Sequence, residues 1–230
     1  MKRRTFLTAG GALLVSACAT PPRGGFDATE VPAPRWRVGD SWTFRRTDGF
    51  NGLPRGVLTR VVESADHNGI RFVTRNEAGN VLDDARFESP GIEISGTLSE
   101  DGPVTGVFNP PLRVADYPLV SGKQWRQSLI RTDANEFRTF MTASVRIEGW
   151  EQARALGKSY RALVIRRNLM LGPKDSFSGP LYREEVEWYV PELRGAARMQ
   201  VAEYIANEDI LLGWDPGDRF LYALENFRLA

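Results

Sequence analysis

From Ser41 onward, apolar and polar residues alternate in short runs, and the runs are broken by glycine, asparagine, aspartate and proline. A period of two marks half-buried strands, whereas an amphipathic helix needs apolar positions at i, i+3, i+4 and i+7. The strand pattern is carried by Ser41 to Arg46, Gly56 to Glu63, Ile70 to Arg75, Val81 to Phe87 and Ile92 to Leu98. It recurs in Phe137 to Ile147, Tyr160 to Arg167, Tyr182 to Val190, Ala197 to Ile205 and Phe220 to Leu229. Between these lie turn signals: Asp66-His67-Asn68-Gly69, Ala78-Gly79-Asn80 and Asp215-Pro216-Gly217-Asp218. A helical stripe is approached only over Trp150 to Leu156, which predicts at most one short helix. The expected fold class is all-β: an antiparallel meander forming a strongly curved sheet (half-barrel) or a β-sandwich.

Two segments are alike, Val38-Gly39-Asp40-Ser41-Trp42 and Ser121-Gly122-Lys123-Gln124-Trp125. Each sets a Trp three residues after a Gly turn, so that the ring can fold back as a plug; burying such a ring contributes up to a few kcal/mol. Ahead of this domain the pattern changes. The stretch ATPPRGGFDATEVPAP, with Pro21, Pro22, Pro32 and Pro34, cannot bury a core and reads as an extended tether reaching at most ~50 Å. The expected organisation is therefore a signal at residues 1–17, Cys18 with a flexible Pro/Gly tether at 18–34, and a single β-rich domain at 35–230.

The first residues carry Lys2, Arg3 and Arg4, then an apolar run from Phe6 to Val15, then Ser16 and Ala17. This is the layout of a secretory signal, and the run falls short of the ~20 apolar residues that span a bilayer. Val15-Ser16-Ala17-Cys18 resembles the lipobox of bacterial lipoproteins. That resemblance implies a diacylglycerol on the Cys18 thiol, cleavage just before it, and an N-acyl chain on the freed amine. A thiol reserved for acylation also fits a chain whose single cysteine is Cys18, since another would risk a disulfide in an oxidising compartment. Arg3-Arg4-Thr5-Phe6-Leu7 resembles the twin-arginine signal, which exports folded proteins, although Lys2 and Thr8 depart from its flanks; a general-secretion signal stays open. By the lipoprotein sorting rule, Ala19 after the cysteine points to the outer membrane rather than the inner. Two or three acyl chains anchor stably where one binds marginally, so the expected state is tethered to the membrane and facing the periplasm.

Composition narrows the partners. The whole chain has 30 Lys plus Arg against 29 Asp plus Glu, and loss of residues 1–17 would leave 27 bases, 29 acids and a formal charge of −2. A nucleic-acid binder shows a basic excess, so no nucleic acid is expected, and no block of like charge suggests a polybasic lipid patch.

Candidate chemistry is sparse. His67 is the single histidine and sits in a turn, so a His-based zinc site, a Ser-His-Asp triad and a Cys-His pair lack their residues. No nucleotide fingerprint is present. No metal and no cofactor beyond the acyl chains is expected. Carboxylates remain: Asp83 with Asp84, Glu184, Glu185 and Glu187, and Asp215 with Asp218. On a strand, Arg183, Glu185, Glu187 and Tyr189 share one face and form a candidate binding face; a solvated strand face is the plainer expectation.

The order Trp36-x-Val38-Gly39-Asp40-x-Trp42, Tyr117-Pro118-Leu119 with Gly122-Lys123-x-Trp125, Val145 to Ala162, and Trp188-Tyr189-x-Pro191-Glu192 resembles uncharacterised bacterial periplasmic lipoproteins. Those chains carry a hairpin ending in Gly-x-Glu that resumes after a small Gly turn, matched by Gly149-x-Glu151 and Gly157. The resemblance implies an envelope location and supplies no catalytic residue. Three roles follow as expectations: first an anchored, non-catalytic binding or envelope-assembly module, whose partner would be an envelope protein or a lipid; second a lipid or lipoprotein carrier with an apolar concave face including Val164, Val186 and Trp188; third a carboxylate enzyme.

Overall fold

The computed structural model describes residues 28–98, 105–173, 179–207 and 213–230. Twelve strands follow one another: β1 (Ser41–Asp48), β2 (Pro54–Asp66), β3 (Gly69–Asn76), β4 (Val81–Ser89), β5 (Ile92–Thr97) and β6 (Thr105–Arg113), then β7 (Gln124–Asp133), β8 (Arg138–Ala155), β9 (Lys158–Leu171), β10 (Leu181–Val190), β11 (Gly195–Asn207) and β12 (Gly213–Arg228). Each pairs antiparallel with the next, and β1 also pairs with β12, from Ser41 opposite Arg228 to Asp48 opposite Phe220. The sheet is thus a closed barrel, and the expected half-barrel or sandwich is corrected. Closure satisfies the edges that an open meander would leave exposed. Eight strands enclose just enough room for their own side chains, so twelve leave interior space.

All ten expected strands are present, while β6 and β7 were not foreseen. β6 contains Pro110 and Pro111, which cannot donate to a ladder, and its register with β7 stops at Asn109 opposite Ile130. Beyond that point Gln127 takes over: its Nε2 donates to the Pro111 carbonyl at 2.8 Å and its Oε1 accepts from the Arg113 amide at 2.9 Å. A polar side chain therefore stands in for the missing backbone bonds.

The helix expected over Trp150 to Leu156 is absent, and β8 continues through it. The register slips between Ile147 and Gly149, leaving Glu148 as the extra residue of a bulge. Such a slip exchanges the faces of every later residue, which broke the period of two and made the run look helical. The strand ends in a hairpin whose central residues, Leu156 and Gly157, both have positive φ (53° and 71°), matching the right-handed twist of the flanking strands.

After the bulge, Ala153 and Ala155 on β8 and Ala162 on β9 join the same buried cluster as Val164, Val186 and Trp188. Those last three alternate with the lumen-facing residues of β9 and β10, so they lie on the outer wall. There the hairpin packs with them, and Trp188 Nε1 donates to Glu151 Oε2 at 2.7 Å. The residues expected on a carrier's apolar concave face are corrected accordingly: Val164, Val186 and Trp188 lie outside the lumen and are buried. Elsewhere the outer wall carries ion pairs, among them Arg71 with Asp84 and Glu63, and Arg166 with Glu148 and Glu184. A lipid-facing band on a transmembrane barrel is apolar instead.

One end of the barrel is plugged by rings. Trp42 is 3% exposed and its Nε1 donates to the Leu193 carbonyl at 2.7 Å; Trp36 Nε1 donates to the Arg194 carbonyl at 2.8 Å. Phe72 stacks edge-on to Trp36 at 4.8 Å and to Phe87 at 5.4 Å. Ahead of β1, Val31 is buried and exchanges two backbone hydrogen bonds with Leu119. Asp40, fully buried, gathers the amides of Arg37 (2.9 Å) and Ala230 (2.7 Å) and the guanidinium of Arg194 (3.0 Å).

Candidate functional site

Inside the barrel lies a cavity of about 320 Å³ bounded by residues from nearly every strand. That volume is at the lower bound of sites that hold small molecules. One wall is apolar, with Leu98, Leu112, Ala143, Val145, Ile165 and Leu169. The Trp36, Trp42, Phe72 and Phe87 rings form one end, where the hydrogen-bonded Tyr117 and Tyr189 also meet. Burial drives both phenols well above their ordinary range.

The remaining wall is ionic. Alternation along β10 puts Arg183, Glu185, Glu187 and Tyr189 on one face, and that face lines the lumen. The solvated-face expectation is corrected: the strand turns this row inward and leaves Glu184, Val186 and Trp188 outside. In register with it, β9 contributes Arg167 opposite Glu185, and β11 contributes Glu203 opposite Arg183. Arg183 Nη1 meets Glu203 at 2.6 Å and its Nε meets Glu185 at 2.8 Å. Arg167 Nη2 meets Glu187 at 2.6 Å, and its Nε donates to the Val114 carbonyl at 2.9 Å. Burial alone would raise the Glu185 carboxyl, but Arg183 and Arg167 outweigh it and hold the group below the ordinary carboxylate range.

Across the lumen stand Arg60 from β2, Asp83 from β4 and Glu93 from β5. Arg60 lays its guanidinium on the Phe72 ring at 4.3 Å, while its Nε is buried without a hydrogen-bond partner. Asp83 accepts the Thr97 amide at 2.9 Å, and the Thr97 hydroxyl is also buried and unpartnered. Glu93 has no cation bonded to it; burial first, and the neighbouring Asp83 second, push its carboxyl up to about 8.

Of the other carboxylates named from sequence, Asp84 and Glu184 pair with Arg71 and Arg166 outside, and Asp215 with Asp218 lies on β12. Among the described residues no group of His, Cys, Asp and Glu is arranged to hold a metal. The anchor and signal residues Arg3, Arg4, Phe6, Leu7, Val15, Ser16, Ala17 and Cys18 lie outside the described residues. Sequence reasoning missed Arg60, Glu93, Arg167 and Glu203. In Ile92-Glu93-Ile94 the alternation favours the isoleucines as the inward pair, yet Glu93 faces the lumen. The available signal was polar residues at every second position of several strands at once.

Fold and lumen together define a closed up-and-down barrel with a charged, cavity-bearing interior. No family model matches the chain, and no curated protein matches it in sequence. Solved structures do share the fold. One is of a protein inferred to be a lipoprotein in Parabacteroides distasonis, with a TM-score of 0.50, 15% identity, and coverage of 87% of this chain and 100% of that one. Another is of a protein inferred to be exported, with a YmcC-like fold, in Bacteroides fragilis: TM-score 0.52, 14% identity, 86% of this chain and 99% of that one. At these identities the likeness is one of fold.

Proposed function

We propose that this chain is a lipid-anchored binding protein of the bacterial envelope that takes a small ligand into its barrel lumen. The observation that carries the reading is the cavity itself: one half apolar and aromatic, the other half ionic, with Arg60 Nε and Thr97 Oγ1 buried there and unpartnered. Burying such groups without a partner costs about 1–3 kcal/mol each, a cost that persists when they serve a ligand. Export and acylation rest on the signal and lipobox pattern ending at Cys18. The raised pKa of Glu93 beside Asp83 is what favours the second reading, a carboxylate enzyme.

A test of the lumen uses N-phenyl-1-naphthylamine, a neutral fluorophore. Saturable binding at about one probe per chain is expected, as a single lumen site dictates, and Ala143→Trp, which projects an indole into the cavity, should abolish it while far-UV circular dichroism stays barrel-like. Absence of saturable binding by the wild type, or equal binding by the plugged variant, would reject the lumen as a site. The anchor has its own check. Cys18→Ser should move the protein out of the membrane fraction, and the wild-type N-terminal peptide should carry acyl mass; an unmodified Cys18 would remove the anchor from the reading.

A further inference from the structure

Resting on the reading of the lumen as a binding site, we propose that its ligand is a zwitterion on an apolar body, the chemistry of an α-amino acid with an apolar side chain, held with its carboxylate on Arg60 and its ammonium on Asp83 and Thr97. The inference starts from the balance of charge. Among the described residues, the lining holds Arg60, Arg113, Arg167, Arg183 and Arg194 with Asp83, Glu93, Glu185 and Glu187. Beside it, Asp40 pairs with Arg194 and Glu203 with Arg183. Glu93 keeps its proton up to about pH 8, so near neutral pH those five arginines meet five carboxylates. Arg131, buried on β7 and under the charge of Asp133, is not part of the lining. Any ligand with a net charge would upset this balance in a place where uncompensated charge is costly.

Within that balance two opposite charges stay apart. Arg183 bridges Glu185 and Glu203, Arg167 holds Glu187, Arg194 holds Asp40, and Arg113 is exposed. Arg60 lies on the Phe72 ring and Asp83 accepts the Thr97 amide, and neither makes an ion pair with a described residue. They share one row of the sheet: Arg60 on β2 is opposite Thr74 on β3, and Thr74 is opposite Asp83 on β4. All three line the cavity, and two strand spacings set the Arg60 and Asp83 backbones about 9.5 Å apart. A small molecule carrying an anion and a cation on neighbouring atoms can answer both without changing the net charge.

The two unpartnered atoms of the row point to the same chemistry. Arg60 Nε is a buried donor, and a carboxylate oxygen is the acceptor that bonds a guanidinium most strongly. Thr97, whose amide bonds Asp83 Oδ1, carries the other unpartnered atom, its hydroxyl oxygen. An ammonium has three donors, enough for the Asp83 carboxylate and this hydroxyl together. A ligand with a positive group alone would leave Arg60 Nε unanswered, and one with a negative group alone would leave Asp83 unanswered. The apolar side chain has its wall in Leu98, which follows Thr97, and in Leu112 and Leu169.

Titration calorimetry on the purified protein at pH 7 tests this with leucine, with 4-methylpentanoate, which is leucine without its ammonium, and with 3-methylbutylammonium, which is leucine without its carboxylate. Leucine is expected to bind roughly tenfold or more tightly than either, the difference one charge-assisted contact makes. Asp83→Asn, which keeps an oxygen for the Thr97 amide, should erase the advantage of leucine over 4-methylpentanoate. Arg60→Gln should erase its advantage over 3-methylbutylammonium. Both variants should bind N-phenyl-1-naphthylamine as the wild type does, which shows that the lumen is intact; the three-probe comparison on the wild type stands without them. Equal affinity for the three probes, a preference for either singly charged one, or intact variants that retain the full advantage of leucine would overturn the assignment. If the naphthyl probe binds and leucine does not, the lumen remains a site and the zwitterion is wrong; if neither binds, the lumen reading itself fails.

Discussion

Arg183→Met should destabilise the barrel by about 3–5 kcal/mol, the cost of stranding buried charge when one partner of an ion pair is removed. The Arg183 side chain is 7% exposed and sits between Glu185 and Glu203. Methionine keeps much of the volume but removes the guanidinium that both carboxylates bond in a low-dielectric interior. Urea unfolding should show the midpoint falling with an unchanged slope, because the surface exposed on unfolding hardly differs. The combined change Arg183→Met, Glu203→Gln should recover a large part of the loss, since the uncompensated charge goes with the second substitution. A single variant within about 0.5 kcal/mol of wild type, the range of ordinary surface changes, would mean that water reaches these groups in the empty barrel.

Glu93→Gln should work in the opposite sense and depend on pH. In the folded chain the carboxyl is pushed up to about 8 from its ordinary value of 4.5. Between those two values the native state holds a proton that the unfolded chain has released. Each rise in pH across the window therefore favours unfolding, and this group's contribution to stability, complete below about pH 4.5, is lost by about pH 8. Its upper limit is about 5 kcal/mol. Glutamine has the shape of the neutral acid and nothing to ionise. The variant should match wild type near pH 4.5 and exceed it increasingly up to pH 9, by several kcal/mol at the limit. Taking the difference between the two proteins cancels Glu185, whose lowered pKa gives the opposite slope at acid pH. Parallel stability curves across the range would show that Glu93 is solvated.

Much of the wall was legible in the sequence, because strand periodicity is local. The ten foreseen strands each show it. β6 and β7 escaped because Pro110 and Pro111 broke one run, while Gln127 and Arg131 occupy positions on β7 where apolar residues would have marked it. The β8 bulge defeated the reading at Trp150 for a related reason: a single extra residue, Glu148, exchanges faces, and no local propensity announces it. Closure was not legible at all, since it depends on the first and last strands meeting.

The site was harder to read than the wall. Arg183, Glu185, Glu187 and Tyr189 could be grouped on one face, yet whether that face meets water or the lumen is decided by the other eleven strands. Usual hydrophobic logic points such a row outward. Here the barrel is wide enough to pair guanidinium with carboxylate inside, so Arg167 on β9 and Glu203 on β11 become partners of that β10 row through register alone.

The seam between β1 and β12, latched where Asp40 receives the Ala230 amide, also sets a schedule. Synthesis proceeds at ~5–20 residues per second, so roughly ten to forty seconds separate the emergence of β1 from that of its closing partner. Throughout that interval the early strands can form hairpins, but β1 keeps one row of unpaired amides and carbonyls, and the ionic wall has no lumen to face. The barrel exists only after its final strand arrives, and until then the nascent chain is an open sheet whose free edge must be shielded from its neighbours.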